Sequence, residues 1–156
     1  MSIPGLSIRG CRSADIDDVC RIERTCFGDD HALPRIALTQ YFDLFGPAFA
    51  LAEISSEVVG FAVGGIALDD DPRLGWLLDA AVLPSFQGRG VGQTVCRHIL
   101  ERLVTFGIRT ARATVAHDNE RSVRLLRSLG FYAAGDIAGY FGPGLRRLVM
   151  EWRSGD

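Results

Sequence analysis

The apolar run LGWLLDAAVLPSF, residues 74–86, passes directly into QGRGVG, Gln87 to Gly92. Glycine weakens strands and helices alike, so three glycines around one arginine demand a reason. The run before them is nearly continuous in apolar side chains, which marks GWLLDAAVL as a central strand. After them, Val95, Ile99, Leu103 and Phe106 recur at helical spacing across Gly92 to Phe106, and Gly107 stops the helix. A glycine-rich turn between strand and helix aims several backbone N–H groups at one point. The unpaired amides and partial positive charge of a helix N-terminus accept phosphate there, and glycines let the anion approach the main chain. Arg89 adds a charge-assisted contact. The alternative is a tight turn with no ligand, for which one glycine would serve.

Two nucleotide-binding patterns fail here. A Walker A loop needs a lysine that this loop lacks, and a dinucleotide fingerprint needs glycine where Gln93 stands. The loop also lies mid-chain, after an antiparallel-looking meander. Around it, LSIRGCR reads as a first strand. Ser13 is the expected cap of a helix reaching Phe27, with Ile16, Val19, Cys20, Cys26 and Phe27 on one face. A shorter helix over Arg35 to Phe45 follows the turn-like GDDHALP. FALAEI and VVGFAVGGIAL are strands joined through SSE as a hairpin. TARATVAH is a strand, Asn119 caps the helix NERSVRLLRSL, and FYAAGDIAGY and LRRLVMEW are the last two strands. The order β-α-α-β-β-β-α-β-α-β-β is mixed α/β.

The 156 residues suit a single domain, 1–156, and 47% hydrophobic with 23% charged residues is ordinary for a globular protein. A net charge of -2 leaves no electrostatic footprint for nucleic acid. No apolar run approaches the roughly 20 residues that span a bilayer, so no membrane association is expected. The N-terminus lacks the basic start and apolar core of a signal peptide, which gives a cytoplasmic expectation. Cys11, Cys20, Cys26 and Cys96 form no CxxC pair, and three of the four fall where apolar side chains are wanted. Buried free thiols are the favoured reading over metal or disulfide. With three histidines in the chain, no metal site is expected.

VLPSFQGRGVG, Val82 to Gly92, resembles motif A of the GNAT superfamily of acetyl-CoA-dependent acetyltransferases. That motif runs Gln or Arg, two residues, Gly, one residue, then Gly or Ala, and Gln87, Gly90 and Gly92 satisfy it. The hydrophobic-x-Pro before it, and Asn119 with LLRSLGF beyond it, match the family's second half. The resemblance covers nearly the whole chain and is nearest to the bacterial ribosomal-protein alanine N-acetyltransferases and their relatives. IERTCFGDDHALPRIALTQYF resembles their first helix pair, and GYFGPGLRRLVMEW their C-terminal hairpin. It implies a mostly antiparallel sheet of about seven strands flanked by about four helices, splayed between the fourth and fifth strands. By the same resemblance, Ala80, Ala81 and Val82 line the acetyl-pantetheine arm. Gln87 and the stretch Gly88, Arg89, Gly90, Val91, Gly92 and Gln93 hold the pyrophosphate, and Asn119 touches the cofactor. A plain N-cap role for Asn119 is equally compatible. The implied co-substrate is acetyl-CoA, and the acceptor is a primary amine, a peptide N-terminus or a small amine. A homodimer is left open.

The resemblance breaks at proton transfer. The family's catalytic glutamate falls on Thr114 and its acid tyrosine on Leu126, and neither side chain does that work. Tyr140, His117 and Asp79 are the candidate replacements, each with a bland reading beside it. Tyr140 is a strand-end aromatic, His117 a surface histidine, and Asp79 a hydrogen-bonded structural carboxylate in an apolar strand. Asp29, Asp30 and His31 border the acceptor side in the resembled arrangement or are simply solvated loop. Tyr132 is read as a strand residue. Without those groups, positioning alone still accelerates attack on a thioester. The competing reading is an idle CoA-binding module acting as a sensor or interaction domain.

Overall fold

The computed structural model describes residues 3–155. Seven strands form one sheet: β1 (Leu6–Gly10), β2 (Phe49–Ile54), β3 (Glu57–Ile66), β4 (Leu74–Val82), β5 (Thr110–Ala116), β6 (Tyr132–Ile137) and β7 (Arg147–Arg153). Four helices accompany them: α1 (Ile16–Phe27), α2 (Arg35–Phe45), α3 (Val91–Thr105) and α4 (Glu120–Ser128). The sheet order is β1-β2-β3-β4-β5-β7-β6. Every pairing is antiparallel except β4 with β5, which is parallel over Leu74–Trp76 against Thr110–Arg112. A parallel neighbour needs a crossover, and α3 supplies it. The mixed α/β order and the mostly antiparallel sheet expected from the sequence are both present.

Both faces of the central strands are buried, which is why they read as continuous apolar runs. In β2, Phe49 and Leu51 pack with α1 and α2, whereas Ala50 and Ala52 pack with α3. The small residues sit on the α3 side for a steric reason. At Gly64 of β3, an added Cβ would lie 2.7 Å from Ile99 and 3.1 Å from the Trp76 carbonyl. Between β2 and β3, Ser55 and Ser56 both take positive φ, the backbone of a two-residue hairpin turn.

The entry to α1 is built differently from the expectation. Ser13 begins a short 3₁₀ turn that precedes the helix and makes no side-chain cap. Instead Asp15 accepts the Arg12 N–H at 2.7 Å and two guanidinium bonds from Arg9 at 2.8 Å each. Arg9 also reaches Glu53 on β2 at 2.6 Å, so one guanidinium ties β1, β2 and the start of α1 together. Asp15 stands at the N-cap of α1 without a side-chain bond to the helix, so the Arg9–Asp15 ion pair rather than a side-chain cap fixes the entry.

One irregularity re-aims the side chains of β4. Val63 of β3 opposes Asp79 and Gly64 opposes Leu77, so Leu78 is an extra residue in β4. Such a bulge breaks strict alternation and re-aims the side chains beside it. Leu78 and Asp79 accordingly both turn toward the α1–α2 layer, Leu78 against that core and Asp79 toward Glu23.

The Gly64 contact yields the first prediction. Gly64→Ala forces a methyl into Ile99 and Leu103, and is expected to lower unfolding free energy by about 1–3 kcal/mol in urea titration. An unchanged midpoint would mean that β3 and α3 are less closely seated than described.

Candidate functional site: a pocket at the open edge of the fourth strand

Beyond Trp76, β4 and β5 share no pairing, and a cavity of about 470 Å³ opens beside the freed end of β4. That volume is in the range of small-molecule sites. Ala80, Ala81 and Val82 form its strand wall. Gln87, Gly88, Gly90, Gly92 and Gln93 line it from the turn and the first turn of α3. Asn119, Arg121, Ser122 and Leu125 face them from α4, and Cys26 and Phe27 close it from the end of α1.

The turn is shaped for close approach to its backbone. Gly88 and Gly90 have φ of 77° and 87°, values that penalise a Cβ, and no side chain caps α3. The first intrahelical bond at this end runs from the Thr94 N–H to the Gly90 carbonyl at 3.0 Å. The N–H groups ahead of it are the orphan donors of a helix start, gathered where the helix dipole is positive. Gly92 has a different reason: an added Cβ would meet Leu125 at 3.5 Å and Val82 at 3.6 Å, so its absence lets α3 approach α4 and β4. The Gln87 side-chain amide donates to the Val82 carbonyl at 2.7 Å, pinning the turn to the strand. Arg89 stacks its guanidinium 5.5 Å from the Phe86 ring centre and is outside the lining. Val91 is buried in the core and outside the lining. Asn119 caps α4, its side-chain oxygen accepting the Ser122 N–H at 3.2 Å, while also lining the cavity.

The three candidate proton-transfer groups are not brought together. His117 is exposed at the end of β5, beside Asp136 of β6, whose carboxyl Arg146 and, to a lesser extent, His117 hold below its usual value. Tyr140 is half-buried in the β6–β7 connection, edge-to-face with Phe141 at 4.7 Å between ring centres. Asp79 lies on the opposite side, its Oδ1 accepting the Ala80 N–H at 2.9 Å and its Oδ2 sealed from solvent without a donor. Burial first, then the neighbouring Glu23 carboxyl, pushes Asp79 well above the usual carboxylate range. Asp29, Asp30 and His31 are exposed in the loop after α1. Thr114 is half-buried on β5, and Leu126 is buried in the core beneath α4, where its position presents nothing to the cavity.

Several lining residues escaped the sequence reading. Arg121 and Ser122 occupy the first turn of α4, where a cation and a hydroxyl suit an anionic ligand. Cys26 lines the cavity and its thiol donates to the Val82 carbonyl at 3.1 Å. Burial, then the charge of Glu23, raises that thiol's pKa, so it stays protonated. Among the described residues, no group of three or more histidine, cysteine or acidic side chains is placed to hold a metal, and no helix is long and apolar enough to cross a membrane.

Known proteins share this arrangement. The model of the acetyltransferase (GNAT) family matches residues 16–131. The ribosomal protein bS18-alanine N-acetyltransferase of Salmonella typhimurium is 29% identical over 113 residues, which cover 71% of this chain and 73% of that protein. Ard1 from Thermoplasma volcanium superposes with a TM-score of 0.86 at 21% identity, covering 97% of this chain and 99% of its own. Arabidopsis thaliana Naa50, in complex with the bisubstrate analogue CoA-Ac-MVNAL, superposes with a TM-score of 0.81 at 16% identity, covering 96% and 99%. With the family model spanning the first helix through the fourth and the turn into β6, the chain belongs to the GNAT family of acetyltransferases.

Proposed function

We propose that this protein transfers the acetyl group of acetyl-CoA to the primary amine of a peptide N-terminus. The observation that carries the reading is the cavity itself, which joins an unpaired strand edge to an anion-ready helix start. The edge of Ala80–Val82 that has no β5 neighbour suits the amide-bearing pantetheine arm. The helix start at Gly90–Gln93, with Gly88 before it and Arg121 opposite, suits the pyrophosphate. Arg89, freely placed over Phe86, reaches the phosphates from the rim. The peptide acceptor rests on the likeness to the bS18-alanine enzyme, and an amino sugar or polyamine is the alternative.

In the reaction the neutral amine attacks the thioester carbonyl and the CoA thiolate departs. Fixing both partners in one pocket supplies up to about 7–11 kcal/mol, against roughly 10²–10⁴-fold from general acid–base help. Binding and orientation therefore do most of the acceleration, and Thr114 and Leu126 do not preclude turnover. Tyr140 is the proposed acid for the thiolate, projecting from the hairpin end.

Two outcomes test the reading. Acetyl-CoA at about 100 times its dissociation constant is expected to stabilise the wild type by about 2.7 kcal/mol on heating. Gly90→Asp places a carboxylate at the helix start in a backbone with φ of 87°, and is expected to abolish that stabilisation. A shift that survives intact would move the phosphate site elsewhere. With acceptor peptides and free-thiol detection, Tyr140→Phe is expected to lower kcat about 10²-fold at little changed KM. A higher KM at unchanged kcat makes Tyr140 a binding residue, and no thiol release from any amine with the wild type favours the idle-module reading.

A further inference from the structure

Behind the strand wall lie two carboxyl groups that the pocket lining does not include. Glu23 is 2% exposed, on the buried face of α1. Its Oε1 accepts the Leu33 N–H at 2.9 Å, which pins the loop between α1 and α2. Its Oε2 and Asp79 Oδ2 are the two buried side-chain polar atoms without a donor among the described residues, and Glu23 is the one acidic group that acts on Asp79. Two ionised carboxylates so placed repel each other in a medium that also desolvates them. The groups facing them are Cys26 on α1, Tyr41 on α2 and Cys96 on α3, all neutral, their own protons held more tightly by burial first. No cation is among the groups that set Asp79. A proton is what satisfies both orphan oxygens at once.

We propose that Glu23 and Asp79 share one proton across Oε2 and Oδ2, and that this pair, once emptied, is the proton acceptor for the incoming amine. Asp79 is the residue that takes the proton; Glu23 is a positioning residue that raises its basicity and fixes the loop above it. The pair lies next to the lining residues along the chain. Ala80 and Ala81, the next residues after Asp79, line the cavity, and so does Cys26, one turn beyond Glu23. The balance is simple. The ammonium gives one proton to the pair, and the neutral nitrogen forms its bond to the acetyl carbon. The carbon–sulfur bond then breaks, Tyr140 protonates the thiolate to CoA–SH, and the second amine proton restores the Tyr140 hydroxyl. The pair's proton returns to solvent.

The inference rests on the transferase reading, so its test separates the two. Without any substrate, a carboxyl whose folded pKa exceeds its unfolded one binds extra protons in the folded state. Its stabilising contribution is full below the unfolded value, about 3.9, and is lost as pH rises through the folded value. The wild-type Tm is therefore expected to decline across that window. Glu23→Gln offers Asp79 an amide N–H, lowers its pKa, and is expected to flatten the decline, as is Asp79→Asn. Equal slopes in all three proteins would overturn the shared proton.

In turnover, the acid limb of the wild-type kcat profile is expected to move down by about one pH unit or more in Glu23→Gln. The plateau falls with it, because the base is weaker. Asp79→Asn is expected to lower kcat by about 10²-fold and to lose the limb. Turnover with an unmoved limb in both variants overturns the acceptor role. Failure of the transferase reading looks different: the wild type itself would release no thiol.

Discussion

The divergence of β4 from β5 is the constraint on which the rest depends. Their pairing lasts from Leu74 to Trp76 on β4 and then stops, although β4 runs on to Val82. A central strand normally satisfies both edges, and one left open must find other partners. On its β3 edge, β4 stays paired from Gly60 to Val63. On the other edge the strand end faces the cavity and α4 beyond it. The crossover helix α3 then starts at the mouth of that gap, so the topology that requires a parallel crossover also delivers an anion-accepting helix end to the open strand edge.

Much of this is legible in the amino-acid sequence. Strands buried on both faces leave long apolar runs, and helices leave spaced ones, so the element order emerges directly from residues such as Phe49–Ile54 and Ile99–Leu103. The glycines of QGRGVG announced a close backbone approach, and the positive φ at Gly88 and Gly90 is the physical content of that signal. Asn119 was legible as a cap because an amide oxygen before a helix has one obvious donor. The cap of α1 was not. Ser13 is the candidate by type, but Asp15 occupies the N-cap, and its carboxyl is taken by the Arg9 guanidinium and the Arg12 N–H rather than by the helix.

Glu23 carried a signal that went unread. Ile16, Val19, Cys20 and Glu23 follow the spacing of one helical face, so the glutamate occupies a place where the pattern calls for an apolar side chain. A charged residue on a buried face implies a partner, but sequence alone does not say which. Asp79 raised the same question from the middle of an apolar strand. What joins the two is the bulge at Leu78, and a one-residue irregularity leaves no mark on a run that is apolar throughout.

That bulge is also what the proposed proton chemistry depends on. Leu126 is committed to the core, and Thr114 sits on β5, across the splay from the carboxyl pair. With strict alternation Asp79 would face the α3 layer with Leu77. The extra residue turns it to α1 instead, against the one acidic side chain buried on that helix. Burying two carboxyls is a poor way to gain stability, since apolar side chains of similar volume usually hold a core at least as well. Their cost is borne at the residue next to Ala80, where the strand opens and the cavity begins. A buried carboxyl pair at that position weakens the core, and the proposed proton exchange accounts for it more simply than packing does.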